Sequence, residues 1–384
     1  MLRGTAIDPL ENLKTYHYEC TDKSILANKV LNPYYDWVVN LIPLWIAPNL
    51  ITVCGLLCVI TSYFITVNHD PELIGAAPRR IILVNAILFF LYATFDAIDG
   101  KQARRTNEKS PLGQLFDHGS DSLVCCMSSV LVCSAAGFGR SVSFYMFLFC
   151  LMIGFYCVAL EEYYTGIFNL GYINGATEGV YSVILVQLIT FIFGKNFWNF
   201  SKNNFLEKLF CKLLNIKFQN YFETDFATFC FLFSVGTIIY TLYNIKKYKK
   251  KRRSRRSLLQ IFQLLAILGL TWSARYIFIR GYALIFFLQL FPLFFNFSIL
   301  CTQTVYSHLL KEKIPMPIFS YFLYFISLSI LNIRGFGIYN VIIIPILSMV
   351  SSFLYFQFVF DIVVEICNYL KINCLTITKR NKKN

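Results

Sequence analysis

Charged side chains are scarce in this chain: only 15% of its 384 residues are Asp, Glu, Lys or Arg, against 57% hydrophobic. That is too little charge to coat a soluble protein of this length, so no large soluble domain fits beside the apolar stretches. Histidine is scarcer still, with four positions (His17, His69, His118 and His308) too far apart for a local metal motif. The thirteen cysteines form no Cys-x-x-Cys and no paired Cys/His pattern. A thiol-based metal or redox motif is therefore absent, and the cysteines read as small buried apolar residues. Residues 1–40 contain no charged n-region followed by an apolar h-region, so no cleavable signal peptide is expected and the first span acts as the insertion signal.

What is present is apolar length. Runs of roughly 17–25 residues, long enough to cross a bilayer, lie near 50–67, 81–98, 119–138, 142–162, 176–194, 225–243, 257–277, 282–305, 316–333 and 338–363. The expected fold is all-α, a polytopic membrane helix bundle of about ten transmembrane helices. With 39 Phe and 24 Tyr, the composition suits helices facing lipid and headgroups. The net charge of +14 sits in loops, with nine basic residues in the run 246–256 and another group at 379–383. Ten spans put both of these on one side with the termini, and the positive-inside rule makes that side cytosolic. Arg79, Arg80 and five lysines between 194 and 224 oppose this orientation. The basic run reads first as a topological anchor and second as a contact for anionic headgroups. Nucleic acid is not expected as a partner, because Tyr248 alone interleaves the run. Asn199-Phe-Ser forms a glycosylation sequon on the opposite side, whereas Asn296-Phe-Ser lies inside a span.

Against this apolar background, four carboxylates stand at the membrane edge: Asp96 and Asp99 (i, i+3), then Asp117 and Asp121 (i, i+4). Each pair shares one helix face. Ionisable groups at bilayer depth are costly and imply a function and a partner. Two such faces meeting make a cage of hard oxygen ligands, which selects Mg2+, Mn2+ or Ca2+, and Mg2+ so held completes its shell with water and substrate phosphates. The expected site is one for a diphosphate.

The acids lie in Asp96-Ala-Ile-Asp-Gly-Lys-Gln-Ala-Arg, eight residues, then Gly113-Gln-Leu-Phe-Asp-His-Gly-Ser-Asp. This resembles the CDP-alcohol phosphotransferase signature at every defining position. Ile42-Pro-Leu-Trp-Ile-Ala-Pro-Asn-Leu-Ile-Thr, the ten-span count and Asn174-Gly-Ala-Thr-Glu-Gly look like the branch that makes phosphatidylcholine and phosphatidylethanolamine. The resemblance is dense from about 41 to 179 and diffuse beyond. It implies transfer of phosphocholine or phosphoethanolamine from CDP-choline or CDP-ethanolamine to diacylglycerol, releasing CMP, with two Mg2+ or Mn2+ ions, in a homodimer among membrane lipids of the endoplasmic reticulum or Golgi. The implied organisation is a cytosolic N-terminal segment with an interfacial helix (1–49), a catalytic core of six spans (50–243), a basic cytosolic loop (244–256), four further spans (257–367) and a cytosolic tail (368–384).

Chemistry then distributes roles. Asp96, Asp99, Asp117 and Asp121 are the expected metal ligands, supplying Lewis-acid stabilisation of a departing CMP through bound cations. Arg104 and Lys101 suit charge-assisted bonds to phosphate. Gly100 and Gly113 permit close approach of the nucleotide; by resemblance they line its pocket with Asp99 and with Asn49 and Pro48 at the interface turn. Asn49 reads equally as the cap of the first span. The acceptor hydroxyl needs a base. By resemblance Asp121 takes that role across the wider family, while the amino-alcohol branch adds a histidine, here His118. An unperturbed imidazole titrates near pH ~6.5 and suits proton transfer, and Glu178 is placed to orient it if the fifth span folds back on the third. Glu161 and Glu162, at the end of the fourth span without a motif around them, read as interfacial.

Other classes fit less well. Membrane prenyltransferases carry two separate Asp-rich motifs, whereas here the acids form one block. Synthases of the same superfamily with soluble acceptors such as inositol are generally shorter. A transporter predicts acids spread along a pathway, and a non-catalytic lipid-binding scaffold does not need all four.

Overall fold

Each apolar run is bounded by residues that start or stop helices, and these punctuation marks set the architecture. The computed structural model describes residues 8–171, 174–198, 221–248, 254–315 and 338–378, with isolated positions between 322 and 328. Within them the helices are α1 (Asn32–Leu41), α2 (Pro48–His69), α3 (Arg79–Arg105), α4 (Pro111–Ala136), α5 (Val142–Thr165), α6 (Val180–Phe193, entered by the π-turn Gly175–Gly179), α7 (Tyr221–Tyr248), α8 (Ser254–Arg280), α9 (Ala283–Leu310) and α10 (Ile338–Leu370). Prolines occupy the first helical turn of α1, α2 and α4, where the missing N–H costs nothing. Gly137 (φ 73) and Gly166 (φ 83) end α4 and α5 in the left-handed conformation, which favours glycine.

Nine helices among the described residues are long and apolar enough to cross a membrane, so the chain is a polytopic all-α membrane protein. The span expected at 316–333 falls largely outside the described residues, as do the Asn199 sequon, residues 249–253 of the basic run and the basic end of the tail. The third span begins at Pro111 rather than near 119, because Ser110 caps it, accepting from the Gly113 amide, and polar residues on an inward face do not interrupt a helix.

Helices α4 and α9 are buried along almost their whole length, while α6, α7 and α10 expose large side chains such as Leu185, Phe229, Ile239, Phe353 and Phe360 to the surroundings. Lipid tails are as apolar as Leu, so helix association here needs close packing and interhelical hydrogen bonds rather than burial alone. The sequence of α4 supplies both. Ser122 Oγ lies 2.6 Å from Ser298 Oγ of α9, and Gln187 and Thr190 of α6 donate to the Leu131 and Ala135 carbonyls at 3.0 and 3.2 Å.

Helix α1 lies against α2 and α3 through Leu31, Tyr35, Val39, Ile51 and Ile98, with Trp37, Leu41 and, just beyond it, Leu44 and Trp45 exposed. Such a helix suits the plane of the interface. Gln102 and Arg105 at the end of α3 bind carbonyls of the last turn of α1 and of the α1–α2 connection, Gln102 reaching Pro43 and Ile46 and Arg105 reaching Val39 and Ile42. Strands β1 (Cys20–Asp22) and β2 (Phe168–Leu170) pair in parallel, bringing the N-terminal segment to the end of α5.

Candidate active site

Helices α3 and α4 are joined by a tight reversal at 106–110. Asn107 adopts φ 58, a conformation Asn tolerates better than most residues, and Ser110 with Pro111 starts the next helix at once. The eight-residue spacer is therefore a turn plus the first residues of α4, and its shortness brings the two acidic faces together. Single carboxylate oxygens of Asp96, Asp117 and Asp121 lie within 4.8 Å of one another. Asp121 accepts from the Tyr92 hydroxyl at 2.8 Å. Asp99 is buried and accepts from Thr52 Oγ of α2. Asp117 Oδ1 is buried without a hydrogen-bond partner among the described residues, and a buried carboxylate oxygen left so is costly. Three converging carboxylates with an orphaned oxygen fit a hard divalent cation; Asp99, held by Thr52, stands beside this group rather than within it.

The residues expected at the nucleotide fall on the same end of the molecule. Gly100 and Gly113 leave open space: a side-chain carbon at Gly100 would meet only Arg104 Nη1 at 3.9 Å, and one at Gly113 would meet Asn49 Oδ1 and Ser110 Oγ at 3.8 Å. Asn49 does not cap α2. The helix starts one residue earlier, at Pro48, with Ala47 as its cap residue, and the Asn49 amide donates to the Cys374 carbonyl at 3.0 Å. Lys101 pairs with Asp36 of α1 at 2.7 Å, so its charge is directed to the interfacial helix, whereas exposed Arg104 projects over Gly100.

His118, next to Asp117 on α4, packs against α5 and β2. It is buried, its ring centroid is 4.9 Å from that of Phe168, and its Nδ1 is 3.8 Å from Glu162 Oε2. Glu178, expected to orient the imidazole, is held elsewhere: Ser24 Oγ donates to Oε1 at 2.6 Å and the Asn174 amide to Oε2 at 3.0 Å. It sits in the first turn of its helix, where unpaired backbone N–H groups attract a carboxylate. The structure therefore does not bring Glu178 and His118 together.

Glu161 and Glu162, near the end of α5, are both buried. Asn244 donates to Glu161 at 3.1 Å. Gln114 donates to Glu162 Oε1 at 2.6 Å while its own oxygen accepts from the Tyr16 hydroxyl at 2.9 Å. Burial, with the charges of Glu162 and Asp117 nearby, pushes the Tyr16 hydroxyl well above the usual phenol range, so it remains a donor. The sequence assigns no role to Tyr16, Gln114 or Tyr92, and Glu162 reads as interfacial. Helical spacing carries a signal for two of them, since Tyr92 and Gln114 lie one turn before Asp96 and His118.

Two cavities flank the site. A 180 Å3 apolar one lies between α2, α4, α9 and α10, lined by Phe116, Gly119, Ser120, Leu123, Tyr355 and Val359 among others. A larger one of 1020 Å3 is bounded by Tyr16, Tyr164, Gln260, His308 and Lys311 among others.

A family profile described as CDP-alcohol phosphatidyltransferase matches residues 45–192, the segment that holds Asp96, Asp99, Asp117 and Asp121. An uncharacterized class-I CDP-alcohol phosphatidyltransferase family protein of Dictyostelium discoideum is 33% identical, with 97% of this chain and 98% of that protein covered. A CDP-diacylglycerol–serine O-phosphatidyltransferase of Encephalitozoon cuniculi is 30% identical over 98% of this chain and 97% of its own. A choline/ethanolaminephosphotransferase of Arabidopsis thaliana is 41% identical over 48% of this chain and 47% of its own. Similarity to a relative over nearly the full length of both chains, and a profile match that contains the paired aspartates of α3 and α4, place this protein in the CDP-alcohol phosphatidyltransferase family.

Proposed function

We propose that this protein transfers phosphocholine or phosphoethanolamine from its CDP carrier to the hydroxyl of diacylglycerol, releasing CMP. The observation that carries this reading is the buried His118 directly following Asp117, with Asp96 and Asp121 converging on the latter: an imidazole for an acceptor hydroxyl beside a carboxylate cage for a diphosphate. Asp96, Asp117 and Asp121, with Asp99 adjoining, hold Mg2+ or Mn2+, as two ions. When bound, these supply Lewis-acid stabilisation of charge on the diphosphate. Arg104 binds phosphate oxygens, and the space over Gly100 and beside Gly113 takes the cytidine.

In the transfer, the acceptor oxygen bonds to the phosphorus that carries the amino alcohol while the bond from that phosphorus to the bridging oxygen breaks. CMP departs with the electron pair, and the acceptor proton passes to His118. Transfer is direct, without a covalent enzyme intermediate. Asp121 then acts as a metal ligand, fixed by Tyr92. The 180 Å3 cavity, next to the α4 turn that carries Asp117 and Asp121, offers apolar walls for an acyl chain.

The site faces the cytosol in this reading, in the endoplasmic reticulum or Golgi membrane. Supporting this, Asn244 at the end of α7 and Gln260 at the start of α8 contact Glu161 and Tyr164, so the helix ends that flank the basic run in sequence lie at the same end as the site.

The full-length similarity to the Encephalitozoon serine enzyme favours a second reading, with CDP-diacylglycerol as donor and serine as acceptor. Purified protein in detergent with Mg2+ separates the two. CMP release that requires diacylglycerol and CDP-choline or CDP-ethanolamine supports the first; release only with CDP-diacylglycerol and serine replaces it with the second.

A further inference from the structure

Glu162 is a buried carboxylate that the transfer reaction as described does not use, and its surroundings give it a direction. One oxygen receives the Gln114 amide at 2.6 Å; the other lies 3.8 Å from His118 Nδ1. A carboxylate only accepts, so the Gln114 N–H2 must face Glu162 and its carbonyl must face outward, where the Tyr16 hydroxyl donates to it at 2.9 Å. The order is thus fixed: Tyr16 to Gln114 to Glu162, with His118 next. Phe168, held in β2 by its pairing with Cys20, covers the ring of His118. Among the described residues His118 Nε2 makes no hydrogen bond, so it is the nitrogen left for a substrate.

We propose that Glu162 is the positioning residue for His118: it accepts the Nδ1–H, fixing the tautomer in which Nε2 carries the lone pair, while Gln114 and Tyr16 hold its carboxylate in place. An imidazole base commonly depends on such a carboxylate. The separation of 3.8 Å exceeds a hydrogen bond, and catalytic contacts of this kind are often long before substrate arrives. Tyr16 lies in the N-terminal segment, where the short helix Pro9–Thr15 docks through Leu13 onto α4, α9 and α10. A segment far from the signature in sequence therefore completes the support of the base, from the wall of the 1020 Å3 cavity.

The inference rests on His118 being the base in the proposed reaction, and the test keeps the two apart. Turnover is measured for Glu162→Gln, Glu162→Asp and Tyr16→Phe, alone and in a His118→Ala background, alongside 15N-histidine spectra in which His118→Ala identifies the His118 signals. Glu162→Gln lowers kcat about 10- to 100-fold with KM for the CDP-alcohol unchanged, Glu162→Asp recovers part of it, and Tyr16→Phe costs about threefold to tenfold. With His118 already removed, Glu162→Gln costs less than about twofold, because its effect runs through the imidazole. The spectra show a single Nδ1–H tautomer that Glu162→Gln converts to a mixture. Multiplicative losses in the double variant, or an unchanged tautomer, overturn the role of Glu162. Full activity of His118→Ala overturns the base assignment itself, and the spectra still decide the tautomer whichever substrates are used.

Discussion

The two ends of the bundle each bury aspartates, and they treat them in opposite ways. At the C-terminus of α2, Asp70 is fully buried and saturated by the protein: it accepts from the Ile74 and Gly75 amides at 3.0 and 2.8 Å and from Ser134 Oγ of α4 at 2.6 Å. At the other end, Asp96, Asp117 and Asp121 converge within 4.8 Å, with the Tyr92 hydroxyl on Asp121 and an oxygen of Asp117 left without a partner. A carboxylate that the protein satisfies is a structural fastener. A group of carboxylates that the protein gathers and leaves short of donors has the chemistry to hold a cation. Removing the first should damage the fold and spare the chemistry; removing the second should do the reverse.

The sharpest break between the two comes from Asp117→Asn. Loss of several kcal/mol of charge stabilisation should cut CMP release by at least about a hundredfold. The melting temperature in detergent without divalent cations should hold or rise, because like charges no longer oppose one another. A drop in melting temperature instead would make the cluster a fastener too.

Next in size is Asp70→Ala, which strands two backbone donors and a hydroxyl. A cost of about 2–3 kcal/mol should lower the melting temperature, while activity per folded molecule stays near that of the native chain.

Mg2+ itself provides a smaller test. At about ten times its Kd it should stabilise the native chain and Asp70→Ala by about 1.4 kcal/mol, and should leave the melting temperature of Asp117→Asn unmoved.

The smallest expected effect belongs to Tyr92→Phe, which removes one hydrogen bond from Asp121. A loss of about 1 kcal/mol, read as roughly a fivefold fall in CMP release, would place Tyr92 as support for the cluster; no change in rate would leave it a core residue.

Much of this contrast was legible in the residues. The i, i+3 and i, i+4 spacings put each acidic pair on one face, and the eight-residue spacer is short enough that the faces had to meet. Less legible was which acid stands beside His118. Glu178 lies in a motif and Glu162 does not, yet Glu178 sits among unpaired amides at the start of a helix and is captured there, while Glu162 lies on the inward face of α5 opposite His118. Asn49 read equally as a nucleotide residue and as a helix cap, but Pro48 begins α2, and Cys374, from the far end of the chain, accepts from its amide.

The sequence by itself determined a membrane bundle, the family, and the convergence of the aspartates. These depend on local quantities: apolar length, helical period and the reach of a short turn. Only the tertiary structure decided what stands beside His118 and which acids the protein itself satisfies. Those outcomes depend on partners distant in sequence, such as Tyr16 with Gln114, Ser24 with Glu178 and Asp70 with Ser134, and a hydrogen bond between segments is fixed by how helices pack rather than by the composition of either one.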